Sequence, residues 1–199
     1  KIQEINGTIT GITNMPIEQT EKGQLEATLN ASLIGKAGIN IGLNVPYDSE
    51  SFALRVDVAE MDLTSLNPTL KPLAGVEMAS GQMKLIQFYM NAGPNHSQNK
   101  LVFDYENLHV KMINEESKHG SNKKVLLSAI ANTAIRTNNM PDKHNYLVAE
   151  YQSQRNIYRS PVNYIIHGLV SGFTRIVPGK TVQKFINKED KKGKKRKGP

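Results

Sequence analysis

The first sixty residues alternate between apolar and polar side chains with a period of two, which is the pattern of β-strands with one buried face. Three regular alternations follow one another over Leu25–Leu33, Ile39–Val45 and Phe52–Val58, and a weaker one covers Ile2–Ile12. The joints between them are short and contain turn-forming residues. Because short joints connect neighbouring strands as hairpins, the pattern predicts an antiparallel meander.

A short helix and a second set of strands follow the meander. Leucines in Met61–Gly75 recur at helical spacing, and two prolines limit the length of this helix. Two further strands, Gly81–Asn91 and Lys100–Asn114, flank the polar loop Gly93–Asn99 and are predicted to form a long hairpin. Both faces of these strands carry apolar residues, which indicates a sheet that is covered on both sides.

The C-terminal part of the chain is predicted to supply the cover. Lys124–Ile135 and Pro161–Val177 place apolar residues at helical spacing, Tyr146–Arg159 has the pattern of one more strand, and Thr181–Asn187 that of a last short turn. The second helix carries one apolar stripe, so we expect it to pack on the hairpin Gly81–Asn114. The stripe consists of Val162, Ile165, Ile166, Leu169, Phe173 and Ile176.

Together these elements predict a mainly β fold with C-terminal helices, in the α+β class. The expected architecture is a curled, antiparallel, amphipathic sheet that is shaped like a trough and covered at one end by helices. Residues 1–187 are predicted to form a single domain, with a β-meander over residues 1–115 and helices plus a strand over residues 116–187. Residues 188–199 are predicted to be a disordered basic tail.

The apolar face of the first four strands has no helix among those strands to cover it. Either the sheet folds over as a sandwich with a closed protein core, or it curls into a gutter whose apolar inside meets a ligand. In the second case the ligand must be long and apolar. The groove would then be lined by Leu25, Leu29, Leu33, Ile39, Ile41, Leu43, Phe52, Leu54 and Val56.

The net charge of +7 is concentrated at the C-terminus. Eight basic and two acidic residues lie between Lys184 and Pro199, so the rest of the chain carries a charge of only about +1. Because a nucleic-acid-binding domain has basic residues distributed over its folded part, nucleic acid is the least favoured partner. The tail is a solubilising end, a contact with an anionic membrane or, least favoured, a contact with nucleic acid. The membrane contact would be made by Lys191, Lys192, Lys194, Lys195, Arg196 and Lys197.

No pattern in the sequence predicts covalent chemistry. The chain has no Cys, which excludes disulfides, thiolate metal sites and Cys nucleophiles. Its five histidines show no metal-ligand spacing, and neither a Gly-x-Ser-x-Gly elbow nor a phosphate-binding glycine loop is present. We therefore predict a non-enzymatic protein that uses no metal and no cofactor.

The segment Met61–Lys84, MDLTSLNPTLKPLAGVEMASGQMK, resembles a recurrent segment of AsmA-like envelope proteins, the group that includes TamB-like chains. In that segment a strand ends in an acidic-Leu pair, an L-N-P-x-L turn of helix follows, and an x-S-G-x-hydrophobic strand restarts the sheet. The upstream strands and the downstream FDYENLHVKM are also similar, so the resemblance covers roughly residues 1–115. The matching positions are Asp62, Leu63, Leu66, Pro68, Leu70, Gly75, Ser80 and Gly81.

The resemblance implies an elongated trough-like sheet in a membrane-associated protein of the periplasm or cell envelope of a Gram-negative bacterium. This chain would be the C-terminal piece of that protein, with the rest of the parent chain among its partners. The implied function is non-enzymatic: the trough binds, shields or helps to transfer phospholipid or another acyl-chain lipid, and so maintains the outer membrane. The alternative is a structural or protein-interaction β-module with a closed core and no lipid ligand.

Overall fold

The computed structural model describes residues 2–112 and 135–178. The predicted turn Thr181–Asn187, the basic tail with its six membrane-contact candidates, and the predicted helix Lys124–Ile135 except for its last residue lie outside the described residues. The described strands are β1 (Ile2–Thr10), β2 (Gln24–Leu33), β3 (Ala37–Pro46), β4 (Phe52–Val58), β5 (Met61–Asp62), β6 (Val76–Ala92), β7 (His96–Met112) and β8 (Ala149–Gln154). The described α-helices are α1 (Pro16–Lys22), α2 (Asn67–Ala74) and α3 (Pro161–Ile176).

All described strands belong to one antiparallel sheet in the order β1-β2-β3-β4-β6-β7-β8, and β5 pairs with β6 beside β4. The sheet is not closed: β1 and β8 are its two edges. The predicted fold class is confirmed, because the structure is mainly antiparallel β with a C-terminal helix. The order follows from the short joints, since each strand pairs with its neighbour along the chain wherever the connection is a hairpin.

The two long strands β6 and β7 extend further than the sequence pattern predicts. They contain 17 residues each, and the loop between them is reduced to residues 93–95, so the prediction of a polar loop over Gly93–Asn99 is wrong. The reason is that Ser97 and Asn99 are buried strand residues, although they are polar. A polar residue at every second position is compatible with a loop and with a strand, and here tertiary burial selects the strand.

Helix α2 is anchored to the sheet by its first residue. The side chain of Asn67 donates from Nδ2 to the carbonyl of Met78 at 2.9 Å and accepts at Oδ1 from the backbone N–H of Met78 at 2.8 Å. A 3₁₀ turn over Leu63–Leu66 precedes the helix and is capped by Asp62, which accepts from the N–H of Thr64. The helix predicted within Met61–Gly75 is thus confirmed.

Helix α1 was not predicted from the sequence. It is seven residues long and buries none of them, so it has no apolar stripe that a periodicity search could detect. Its end at Gly23 is defined by the positive φ of 73° at that residue.

Segment 135–147 lies beside the second half of β7 and is held there by Asn139. The backbone of Asn139 pairs with that of Tyr105, and its fully buried side chain donates to the carbonyls of Phe103 and Leu147 at 2.8 and 2.9 Å. Its Oδ1 also accepts from the N–H of Leu147 at 2.8 Å. All three hydrogen bonds of the Asn139 side chain are therefore made to backbone groups. They fix segment 135–147 against β7.

Two tyrosines in this region are held in the protonated form. Burial raises the pKa of Tyr105 from 10.0 to about 12. Burial raises the pKa of Tyr146 to about 12 as well, and the hydrogen bond from its hydroxyl to Asp104 Oδ1 adds to the effect. The pKa of Asp104 is itself raised by burial.

We therefore expect the free energy of unfolding to fall as the pH rises from about 10 to about 12. In the unfolded chain both phenols ionise near 10.0, while the folded state resists ionisation until about 12, so stability is complete below the first value and is lost towards the second. Tyrosinate absorbance and circular dichroism, recorded together against pH, should show ionisation coinciding with unfolding. A Tyr105→Phe variant should ionise one tyrosine fewer in that step. Smooth ionisation of all seven tyrosines with the fold intact would contradict this expectation.

Candidate functional site

The two faces of the sheet differ in polarity. On one face Arg55 forms an ion pair with Asp57 at 2.7 Å and lies over the ring of Tyr89, and Gln87 donates to Asp57. The other face is apolar, and directly paired residues form rows that cross the whole sheet, because a pleated strand sends alternate side chains to opposite sides. One such row consists of Gly7, Leu29, Ile41, Val56, Phe88, Leu101 and Ala149.

The structure places all nine predicted groove residues on this apolar face, three each on β2, β3 and β4. Two of them are buried, Ile39 with 5% and Leu54 with 7% of the residue exposed. The other seven are half-buried: Leu25, Leu29, Leu33, Ile41, Leu43, Phe52 and Val56.

The edge strand β1 extends this surface. Ile2 pairs with Leu33 and Ile9 with Ala27, so both lie on the apolar side, and Ile5 precedes Gly7 of the row by two residues. About half or more of each of these three isoleucines is exposed. We call the apolar side of β1, β2, β3 and β4 the open face.

Helix α3 covers the other end of the same apolar side. It begins at Pro161, is capped by the hydroxyl of Ser160, and packs on β6, β7 and β8. Gly168 and Gly172 lie in this contact, and the hydroxyl of Tyr151 on β8 donates to the carbonyl of Gly168 at 2.7 Å. The expected packing of the helix on the long hairpin is therefore present, with β8 as an additional contact.

The boundary between the open and the covered part lies at Phe52 on β4. The ring of Phe52 meets the ring of Tyr164 edge-on at 6.4 Å, and further along the helix Phe173 meets Phe103 of β7 in the same manner at 5.0 Å. The row that contains Leu29 and Ile41 therefore continues beneath α3 without interruption, at Phe88 and Leu101.

One part of the predicted helix stripe is wrong. Val162 and Ile166 are 63% and 51% exposed and lie on the outer side of α3. The rest of the predicted stripe does face the sheet: Ile176 is buried, and Ile165, Leu169 and Phe173 pack against the core. The other buried positions of the helix were not predicted, and they are Tyr164, Gly168, Gly172 and Thr174. Glycines allow the helix to approach the sheet closely, and this contact turns the two aliphatic side chains outwards.

A polar cluster that the sequence analysis missed lies beneath α3. Asn99 of β7 donates from Nδ2 to the hydroxyls of Ser97 and Ser153 at 3.0 and 3.2 Å, and all three residues are buried. They belong to the apolar side, since Asn99 pairs with Met90 and Tyr151. The available signal for Ser97 and Asn99 was their spacing of four and two residues from Leu101, which places both on its side of the strand.

A shallow depression of about 280 Å³ lies at one end of the sheet. Its lining includes Asn44, Ala53, Asn91 and Gln98, which belong to the polar side, and it contains no charged side chain apart from the ionisable His96. Ligand pockets generally enclose about 300–1,000 Å³ and are mostly apolar. The open face fits an apolar ligand better than this depression does.

Ser80 and His109 form a side-chain pair that the sequence does not reveal. Ser80 Oγ lies 2.9 Å from His109 Nδ1 and 2.7 Å from the carbonyl of Asn107, where the β6–β7 register shifts. Asn107 has a positive φ of 53°. Because the hydroxyl proton is directed at this carbonyl, the pair stabilises the bulge and does not form an activated nucleophile.

Among the described residues, no three His, Asp or Glu side chains are grouped so that they could hold a metal ion. No helix in residues 2–112 or 135–178 is both long and apolar enough to cross a membrane. Comparison with known proteins gives no match to a family model, to a curated protein or to a solved structure. The AsmA-like relationship therefore stays a prediction from the sequence.

Proposed function

We propose that this chain is a non-enzymatic lipid-binding protein whose open face holds an acyl chain. The observation that carries the proposal is the row from Leu29 through Ile41 and Val56, which is only partly buried and runs directly into the part of the sheet that α3 covers. Apolar surface of this extent is unfavourable in water and normally marks a binding surface. By the resemblance to AsmA-like proteins, the proposed setting is the periplasmic side of a Gram-negative envelope.

The dimensions of the open face suit an acyl chain. Strands β2 and β3 have ten residues each, which corresponds to about 33 Å at about 3.3 Å per residue. An acyl chain spans half of the roughly 30 Å hydrocarbon core of a bilayer, about 15 Å. Each buried methylene contributes about 0.8 kcal/mol, so a chain that lies along the strands gains enough free energy for stable binding.

The open face offers apolar contacts in its rows and no charged partner. The charged side chains of β4 that are nearest to it, Arg55 and Asp57, belong to the opposite face and pair with each other. A ligand bound here is therefore recognised by its hydrocarbon part, and its head group has to lie beyond the rows. This favours shielding or transfer of lipids over recognition of a particular head group.

The second candidate is a structural or protein-interaction module with a closed core. It is favoured by Ile39, Leu54 and Val58, which lie on the same apolar side and are at most 7% exposed. Such residues need no ligand to complete their burial. The two candidate functions predict different effects of a charged side chain at the half-buried positions, on lipid content in one case and on stability in the other.

In the lipid-binding protein, Leu29→Asp and Ile41→Asp should each reduce co-purified phospholipid several-fold while the midpoint of thermal unfolding changes little. A charge on the open face remains accessible to water but repels the acyl chain. Native mass spectrometry and lipid extraction of the purified chain provide the measurement. The matched control is Thr28→Asp, which adds the same charge to the same strand on its exposed polar side and should leave lipid content unchanged.

A closed core would produce a different result. The aspartate at position 29 or 41 would then be buried without a partner, and the variant would lose several kcal/mol of stability. Unfolding of both variants beside a stable Thr28→Asp variant, or absence of lipid from the unmodified chain, would reject the lipid-binding proposal.

A further inference from the structure

The outer side of α3 and the turn before it carry an apolar surface that faces solvent. Val162 and Ile166 are 63% and 51% exposed and lie four residues apart, so they are neighbours on the helix. Ile157 and Tyr158 in the preceding turn are 62% and 90% exposed. We call these four residues the α3 patch.

The backbone that carries the α3 patch is held by hydrogen bonds. The N–H of Tyr158 donates to Asn156 Oδ1 and that of Arg159 to the Asn156 carbonyl, each at 3.0 Å. The N–H of Arg155 donates to the carbonyl of Asn95 in the β6–β7 loop at 2.8 Å. The turn therefore presents Ile157 and Tyr158 in a fixed position beside the first turn of the helix.

The Asp, Glu, Lys and Arg residues of the segment that carries the α3 patch are all basic. Residues 151–178 contain Arg155, Arg159 and Arg175 and no Asp or Glu. Arg159 directly follows the turn residues of the patch and is exposed, and Arg155 precedes them by two residues and is half-buried, with its Nε enclosed and without a hydrogen-bond partner. Neither arginine forms an ion pair with any residue that the structure describes.

We propose that the α3 patch docks the protein on the surface of an anionic membrane. Aliphatic side chains next to a tyrosine suit the boundary between acyl chains and head groups, because the tyrosine ring is apolar and its hydroxyl stays hydrated. The two arginines pair with lipid phosphates, for which the planar guanidinium is well matched. The four patch side chains could bury far less than the roughly 800 Å² per partner of a typical protein interface, whereas insertion into lipid requires no complementary protein surface.

This surface is separate from the two lipid contacts considered above. It lies on the outer side of α3, whereas the open face is on the sheet, so membrane docking does not require a bound acyl chain. It is also distinct from the basic tail, because it contributes apolar side chains that enter the membrane. A test must therefore locate the inserted side chains and not merely detect binding.

Because the chain contains no tryptophan, the emission of a single introduced tryptophan can report whether its position enters the membrane. In a Tyr158→Trp variant of the full chain, vesicles of phosphatidylcholine with phosphatidylglycerol should shift the tryptophan emission to the blue. The matched control is Ile17→Trp on α1, where the replaced side chain is 74% exposed but is followed by the acidic residues Glu18 and Glu21. Its emission should not shift. Both positions are exposed, so the fold and the midpoint of thermal unfolding should be unchanged.

The charge contribution is tested in the Tyr158→Trp background. Replacing Arg155 and Arg159 by glutamine should lower partitioning into these vesicles roughly 25-fold, since each basic residue near an anionic surface contributes about fivefold. Lys36→Gln, at an exposed turn on the meander, is the control and should leave partitioning unchanged. Vesicles of phosphatidylcholine alone should bind weakly.

Three results would overturn the proposal: vesicle binding without an emission shift at position 158, which would assign the contact to the tail; an equal shift at position 17; or no effect of the two arginine replacements. The test is independent of the proposed acyl-chain binding. Leu29→Asp should leave the emission shift intact, and loss of the shift in the double arginine variant should leave co-purified lipid unaffected.

Discussion

The Asn139→Leu variant is expected to be about 3–5 kcal/mol less stable than the unmodified protein. The substitution removes all three hydrogen bonds of the Asn139 side chain, two donated to the carbonyls of Phe103 and Leu147 and one accepted from the N–H of Leu147. Leucine has a similar volume, so the loss comes mainly from buried backbone groups that are left without partners. Urea-induced unfolding measures the difference.

The neighbouring Asn138 supplies the control. Its Oδ1 accepts from the N–H of Asn107, its Nδ2 donates to the hydroxyl of the exposed Thr137, and its side chain is half-buried, so Asn138→Leu should cost only about 1 kcal/mol. Hydrogen exchange adds a local measurement, because the Leu147 amide should lose protection in the Asn139 variant before the sheet does. Equal effects of the two substitutions would show that the amide network does not hold segment 135–147 on β7.

The second large effect is expected for Gly172→Ala, at about 2–3 kcal/mol of lost stability. A Cβ at this position would lie 2.5 Å from the hydroxyl of Tyr151 and 2.7 and 3.0 Å from two carbon atoms of Leu101. Contacts this short force α3 away from β7 and β8 and disturb the hydrogen bond from Tyr151 to Gly168. The higher helix propensity of alanine, about 1 kcal/mol, offsets only part of this cost.

The matched substitution is Gly168→Ala, one turn earlier on the same face. Its Cβ would lie 3.3 Å from Phe88 and 3.4 Å from Asn99, where small shifts of side-chain atoms are sufficient. We therefore expect a change of less than about 1 kcal/mol in either direction. Thermal and urea unfolding of both variants provide the comparison. If Gly172→Ala were as stable as Gly168→Ala, the close packing of α3 on Leu101 would not contribute as described.

The strands of the meander were predictable because their determinant is local. The pleat of a strand sends alternate side chains to opposite sides, so Leu29 and Ile41 had to belong to one face if their segments were strands. The short joints then required antiparallel neighbours, which aligned the two residues in one row. For the same reason, the nine groove candidates could be assigned to one face before any contact was known.

Where the sequence pattern does not specify one conformation, tertiary contacts determine the structure. Ser97 and Asn99 have the composition of a loop, and only their burial beneath α3 beside Ser153 makes them part of β7. Helix α1 buries no residue, so no apolar stripe in the sequence predicted it. For Ser97 and Asn99 the local sequence is compatible with two conformations, and the free energy of packing selects the strand.

Helix α3 shows most clearly which features the sequence determines and which depend on tertiary packing. Its period was evident in the sequence, because a helix repeats every 3.6 residues. Which residues meet the sheet was predicted only in part, since the helix carries large apolar residues on more than one side. The contact with Leu101 accommodates Gly172 and leaves Val162 and Ile166 in solvent. The sequence thus determined the strands of the meander and their sides, whereas the match of shapes between α3 and the sheet decided how much of the apolar face is covered and how much stays open.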